Sequence, residues 1–169
     1  ETVYGPKHPE TYSVNDGRAA LLRLNGKFAD AEKILLDSLE FKRKFYGENH
    51  VNTAWAYDRL SRLYNNQGKY HESLNCILKS YEILMDNFGE HHNSVASCLS
   101  ALGTAYSDVG NYLKSKESHL KALEIRENFF GKDHIQVAWT CNELGNLYGK
   151  MKLHNQSLAY YKRALEIKK

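Results

Sequence analysis

Glycines stand at Gly5, Gly47, Gly89 and Gly131, each 42 residues after the last, and the positions around them repeat with them. An aromatic residue precedes each one (Tyr4, Tyr46, Phe88, Phe130), and a histidine follows three positions later (His8, His50, His92, His134). Other columns keep the same spacing: Leu22, Tyr64, Tyr106 and Tyr148; Phe28, Tyr70, Tyr112 and His154; Gly26, Gly68, Gly110 and Lys152. A unit of this size cannot bury its own apolar face, so such a chain folds by stacking each unit on its neighbours. The expected division is a lead at 1–4 resembling the tail of a preceding repeat, repeats at 5–46, 47–88 and 89–130, and a shortened fourth at 131–169, all in one array. The pattern is cut at both ends, which leads us to expect a piece of a longer array.

Each period reads as two helices. In the second, Leu74, Ile77, Leu78, Tyr81, Leu84, Met85 and Phe88 recur at helical spacing and form one apolar stripe. A shorter helix precedes it, with Tyr57, Leu60 and Tyr64 on its inner face, and Asn66-Gln67-Gly68-Lys69 breaks the two, Gly68 suiting a left-handed helix end. Nothing alternates with a period of two for long enough to suggest strands. One column of the first helix holds only small residues, Ala19, Ser61, Gly103 and Gly145. Glycine inside a helix costs ~1 kcal/mol against alanine, so the column predicts close approach of the partner helix.

Leu102-Gly103-x2-Tyr106 and Leu144-Gly145-x2-Tyr148 resemble the L-G-x2-Y core of a tetratricopeptide repeat. The period of 42, the G-x-x-H before each first helix, and Ala122-Leu123-Glu124-Ile125 and Ala164-Leu165-Glu166-Ile167 in the second helices resemble the kinesin light chain class of these repeats. The likeness covers nearly the whole chain. It implies an all-α, right-handed superhelical solenoid of four helix-turn-helix repeats, with first helices lining the concave side. The first repeat departs from the pattern: Arg18 stands where the others carry Leu60, Leu102 and Leu144, and Asn15 occupies an apolar column, so its first helix is expected to pack less well.

At 100° per residue, the face opposite Tyr57, Leu60 and Tyr64 carries Trp55, Asp58, Arg59, Arg62 and Asn66. The fourth repeat presents Trp139, Asn142, Glu143, Asn146 and Lys150 there, and the third presents Ser97, Ser100, Ala101, Thr104 and Asp108. The tryptophans lie two whole periods apart, which suggests a floor of small residues between two aromatic walls. With first helices packed at about 8–10 Å, the walls stand roughly 20 Å apart. An extended peptide of about six residues spans that gap. Tryptophan is enriched at binding hot spots, and the Asn142 and Asn146 amides offer both donors and an acceptor to a peptide backbone. Asn142-x-Leu144 also matches one asparagine of the Leu-Asn-Asn-Leu run in light-chain-like repeats, which in that family faces the cargo peptide. Asp16, Asp58 and Ser100 stand at that position in the other repeats. The competing structural role for each tryptophan is to fill a gap between repeats.

The expected function is a non-catalytic scaffold or adaptor that recruits a protein or extended peptide through this groove. The alternatives are a regulatory or targeting array of a larger enzyme or effector, and a self-associating structural scaffold joined end to end or through the groove. Net charge is +3 and spread along the chain, which disfavours an electrostatic nucleic-acid binder. No apolar run reaches the ~18–20 residues of a membrane span. One histidine per repeat spaces these residues along an edge, so a helix-entry role is expected and a metal site is not. Cys76, Cys98 and Cys141 lack C-x-x-C spacing, and we expect reduced thiols in a cytoplasmic protein. No cofactor site or catalytic constellation is expected. Runs such as Lys42-Arg43-Lys44 read as a solvated outer face.

Overall fold

Three first helices open on the histidine of their repeat. The side chains of His50, His92 and His134 stand at the N-cap, and their Nδ1 atoms accept the backbone N–H two residues on, at 3.1, 3.1 and 3.2 Å. This satisfies one of the four donors that a helix start leaves open. Each ring also stacks on the aromatic residue that precedes the repeat's glycine: Tyr46 on His50, Phe88 on His92, Phe130 on His134. The aromatic-glycine-x-x-histidine signature is therefore one local device, in which a ring holds the capping imidazole in place.

The turn between the two helices of a repeat is closed by a recurring pair of backbone hydrogen bonds. After the helix containing Tyr64, the Lys69 N–H bonds to the Tyr64 carbonyl at 2.9 Å and the Gly68 N–H to that of Asn65 at 3.0 Å. This pair of bonds needs a left-handed residue, and Gly68 supplies it at φ 74°. The same pair recurs at Gly26, Gly110 and Lys152, the last reaching φ 59° with a side chain.

The computed structural model describes residues 9–168. The lead at 1–4, Gly5, His8 and Lys169 lie outside the described residues. Eight helices and no strand occur among the described residues: α1 (Pro9–Leu24), α2 (Phe28–Tyr46), α3 (Val51–Asn66), α4 (Tyr70–Phe88), α5 (Asn93–Asp108), α6 (Tyr112–Phe130), α7 (Ile135–Lys150) and α8 (His154–Ile167). First helices start every 42 residues, and so do second helices. The chain divides into two compact units, Glu1–Ile83 and Leu84–Lys169, with the division inside α4.

In the first unit, α2 packs between α1 and α3, and α3 meets the start of α4 through Ser61 and Ser73, whose hydroxyls lie 3.0 Å apart. Leu60, Leu63 and Ile77 are fully buried there, each contributing ~1.5–3 kcal/mol of hydrophobic stabilisation. Among the described side chains of α1, Asp16 and Ala19 are buried and Arg18 is exposed.

In the second unit, α5 pairs with α6 and α7 with α8, and α6 packs on α7. Leu123 joins Val137, Cys141 and Leu144 in one apolar cluster. The small column does what its composition predicts. A Cβ at Gly103 would stand 2.7 Å from the His119 ring, and one at Gly145 would stand 2.8 Å from the Tyr161 ring.

One sequence expectation is corrected. Arg43 and Lys44 are exposed, but Lys42 is buried, its ammonium 2.5 Å from the Asp16 carboxylate. A buried carboxylate on the neighbouring helix draws that one cation inward.

Candidate functional site

The first unit holds a cavity of about 380 Å³ between α1 and α3. Its apolar surface comes from Ala19, Ala20, Leu35 and the ring of Trp55, and its polar wall from Arg23, Asp58, Arg59 and Arg62. Trp55 stands half-buried on α3, directed away from the packed Tyr57 and Leu60. Asp16 anchors the wall from beneath. Its carboxylate accepts the Ser38 hydroxyl at 2.8 Å and pairs with Lys42 at 2.5 Å and Arg59 at 3.3 Å. Asp58 takes the Arg62 Nε at 2.8 Å, and Arg23 donates to the Asn66 side-chain oxygen at 3.3 Å. Four cations thus face two carboxylates around Trp55, leaving a surplus of positive charge.

The structure brings Trp55, Asp58, Arg59 and Arg62 around one cavity, with Asn66 at the exposed end of α3. Asp16 shares the repeat column of Asp58 and Asn142, whereas spacing did not identify Arg23 and Lys42 as part of the cavity. A signal for Lys42 exists: Lys42 and Arg126 share a repeat column whose intervening member is the apolar Leu84.

In the second unit, Trp139 is about half exposed on α7 and Asn142 half-buried beside it. The Asn146 side-chain oxygen accepts the Tyr161 hydroxyl at 2.5 Å, and Lys150 pairs with Asp108 at 3.1 Å. The Ser97 and Thr104 hydroxyls bond back to carbonyls one turn earlier on α5. Ser100 is buried, and its hydroxyl receives the Arg126 guanidinium at 2.9 Å, which also bonds Thr140. Burial pulls the Arg126 guanidinium down from its ordinary value. Burial pushes Glu143 up, but the His119 contact at 3.6 Å, then Ser100 and Arg126, hold its carboxyl net below the ordinary range. Arg126 and His119 are second-helix residues that a first-helix pattern does not reveal.

Among the described residues there is no group of three or more His, Cys, Asp or Glu side chains placed to hold a metal, and no helix long and apolar enough to cross a membrane. Cys76, Cys98 and Cys141 form no disulfide, and Cys98 and Cys141 are buried.

The tetratricopeptide repeat family pattern matches residues 10–86, 59–114 and 106–169. No curated protein sequence matches. Among solved structures, the chain resembles BtubC (BKLC) from P. vanneervenii, at 22% identity over 88% of this chain and 59% of that one, with a TM-score of 0.79. It resembles a kinesin light chain-like protein of Podosopora anserina with nearly identical TPR-like repeats, at 17% identity over 98% and 79% of the two chains, TM-score 0.78. The apo form of RapI is similar at 20% identity over 94% of this chain and 43% of that one, TM-score 0.76. These likenesses are of fold. The matched repeats, the capped helix pairs and the small-residue helix contacts agree, and the chain belongs to the tetratricopeptide repeat family.

Proposed function

We propose that the chain is a non-catalytic scaffold that recruits a protein partner or an extended peptide segment through the surface lined by its first helices. The observation that carries this reading is the cavity beside Trp55. An apolar floor of Ala19, Ala20 and Leu35 lies against an aromatic face, rimmed by arginines whose positions Asp16 and Asp58 fix. Its volume suits one large side chain, and the arginine rim offers donors to carbonyl or carboxylate oxygens of the same segment. Asn142 and Trp139 on α7 extend the reading to the second unit, as a backbone fork and a second aromatic contact. Cysteines that form no disulfide suit a reducing, cytoplasmic setting.

A second reading, a regulatory or targeting array within a larger enzyme or effector, draws on the partial coverage of BtubC and RapI.

The test is a peptide-display selection on the intact protein, followed by titration of the selected peptides against Trp55→Ala, Trp139→Ala and the double variant. We expect affinity to fall at least about tenfold in the double variant, with the helical melting curve unchanged. Unaltered affinity in all three variants, or loss of folding with binding retained, overturns the proposal.

A further inference from the structure

In the first unit Trp55 stands one helical turn after Val51 and one before Arg59, so the three share a row along α3. Two periods on, α7 repeats the row as Ile135, Trp139 and Glu143. The aliphatic and aromatic members are kept, and the charge at the end is reversed. The partner on the preceding first helix changes with it. Arg59 pairs with Asp16 on α1 at 3.3 Å, whereas the position equivalent to Asp16 on α5 is Ser100, which carries no charge.

The charged residues of α5 and α7 are Asp108, Glu143 and Lys150. Lys150 pairs with Asp108 at 3.1 Å, so the balance on these two helices is the negative charge of Glu143. Arg126 of α6 lies beneath, 5% exposed, with its guanidinium on Ser100 and Thr140. It offsets part of the field but is shut away from a ligand, while Glu143 keeps 36% of its side chain open. His119, also of α6, sits 3.6 Å from the inner carboxylate oxygen, and that oxygen has no hydrogen-bond partner. The contact steadies the carboxylate without satisfying it. A carboxylate accepts up to about four hydrogen bonds, so acceptor capacity remains. Ile135 and Trp139 are 41% and 49% exposed along the same row.

We propose that the Ile135-Trp139-Glu143 row seats a basic side chain of the recruited protein or extended peptide, an inference that rests on the role proposed above for the first-helix surface. The aliphatic stem lies along Ile135, the cationic head over the Trp139 indole, and its N–H groups donate to the Glu143 carboxylate. Arginine fits better than lysine, because a planar guanidinium stacks on an aromatic face and donates to a carboxylate as a fork. The equivalent row of the first unit ends in Arg59 and repels the same side chain. Trp55 and Trp139 are therefore not interchangeable contacts, and the residue one turn after each sets the charge it accepts.

The probes are the peptides selected by display on the intact protein. Those whose affinity falls in Trp139→Ala should carry an arginine or lysine. Each is then made with arginine, its neutral isostere citrulline, or glutamate at that position. On the wild type, citrulline should weaken binding about tenfold and glutamate further, as expected for loss of a charge-assisted hydrogen bond. On Glu143→Gln, which keeps the side chain's size and is checked for folding by circular dichroism, the arginine and citrulline forms should bind alike. Added salt should weaken the arginine form on the wild type and leave the citrulline form unchanged, a readout that needs no protein variant. Trp139-dependent peptides without a basic residue, or selected peptides that depend on Trp55 alone, overturn this inference and leave the scaffold reading standing. So does an equal loss for the arginine and citrulline forms in Glu143→Gln, which shows that Glu143 only supports helix packing. Peptides indifferent to both tryptophans overturn the scaffold reading itself, and this inference with it.

Discussion

The His119 ring lies 2.7 Å from the point where a Cβ on Gly103 would stand, with the imidazole 2% exposed and enclosed. The glycine's absent side chain is the room that the second helix occupies.

Gly103→Ala sets two effects against each other. The helix gains ~1 kcal/mol of propensity, while overpacking against an enclosed ring costs typically ~1–3 kcal/mol. The clash wins, and we expect a net loss of ~1 kcal/mol, read as a lower urea midpoint. Gly17→Ala, in α1 with nothing within 4 Å of the added Cβ, should stabilise by up to ~1 kcal/mol. A loss at both positions contradicts the close-approach explanation.

Lys152 holds the left-handed position that glycine fills at Gly26, Gly68 and Gly110. Lys152→Gly relieves a strain of ~1 kcal/mol without disturbing the two backbone bonds of the turn. Thermal denaturation should show a rise, and the mirror change Gly68→Ala should show a fall of similar size.

His134→Ala removes an N-cap acceptor and the stack on Phe130 together, and should cost ~1 kcal/mol. His134→Asn restores an acceptor without the ring. Recovery of part of the loss in Asn separates the cap from the stack, and amide exchange at Gln136 should quicken in Ala alone.

Burial, then the charge of Glu32 and a hydrogen bond to it, push the Tyr64 phenol from 10.0 up to about 12. Its folded value lies above its unfolded one, so this group's stabilisation is complete below pH 10 and is lost as pH rises through about 12. Tyr64→Phe should flatten that alkaline decline, measured as the difference in unfolding midpoint between the two proteins. Titration of tyrosinate absorbance should lose its latest-ionising component in the variant.

The repeat, the helix pair, the histidine caps and the small-residue column were legible because each depends on residues close in sequence or on a fixed period. Gly68 and Gly103 state their own geometry. Lys42 was not legible: beside Arg43 and Lys44 it looks solvated, and its burial depends on Asp16, a partner 26 residues away on another helix. Trp55 and Trp139 are equivalent by period but differ in surroundings. Trp55 lies beside a cavity walled by arginines, while Trp139 stands about half exposed. Side-chain size and charge on the adjacent helices decide that difference, and periodicity carries neither.

The capped starts and backbone-closed turns have a kinetic consequence. Each depends on residues adjacent in sequence, and ties between neighbouring repeats, such as Arg23 to Asn66 and Lys150 to Asp108, reach 43 and 42 residues along the chain. Low contact order of this kind favours fast folding, and nearest-neighbour coupling lets ordering begin in any helix pair and spread outward. The chain has no obligatory nucleus, so a substitution in one repeat redirects the route of folding more readily than it blocks it.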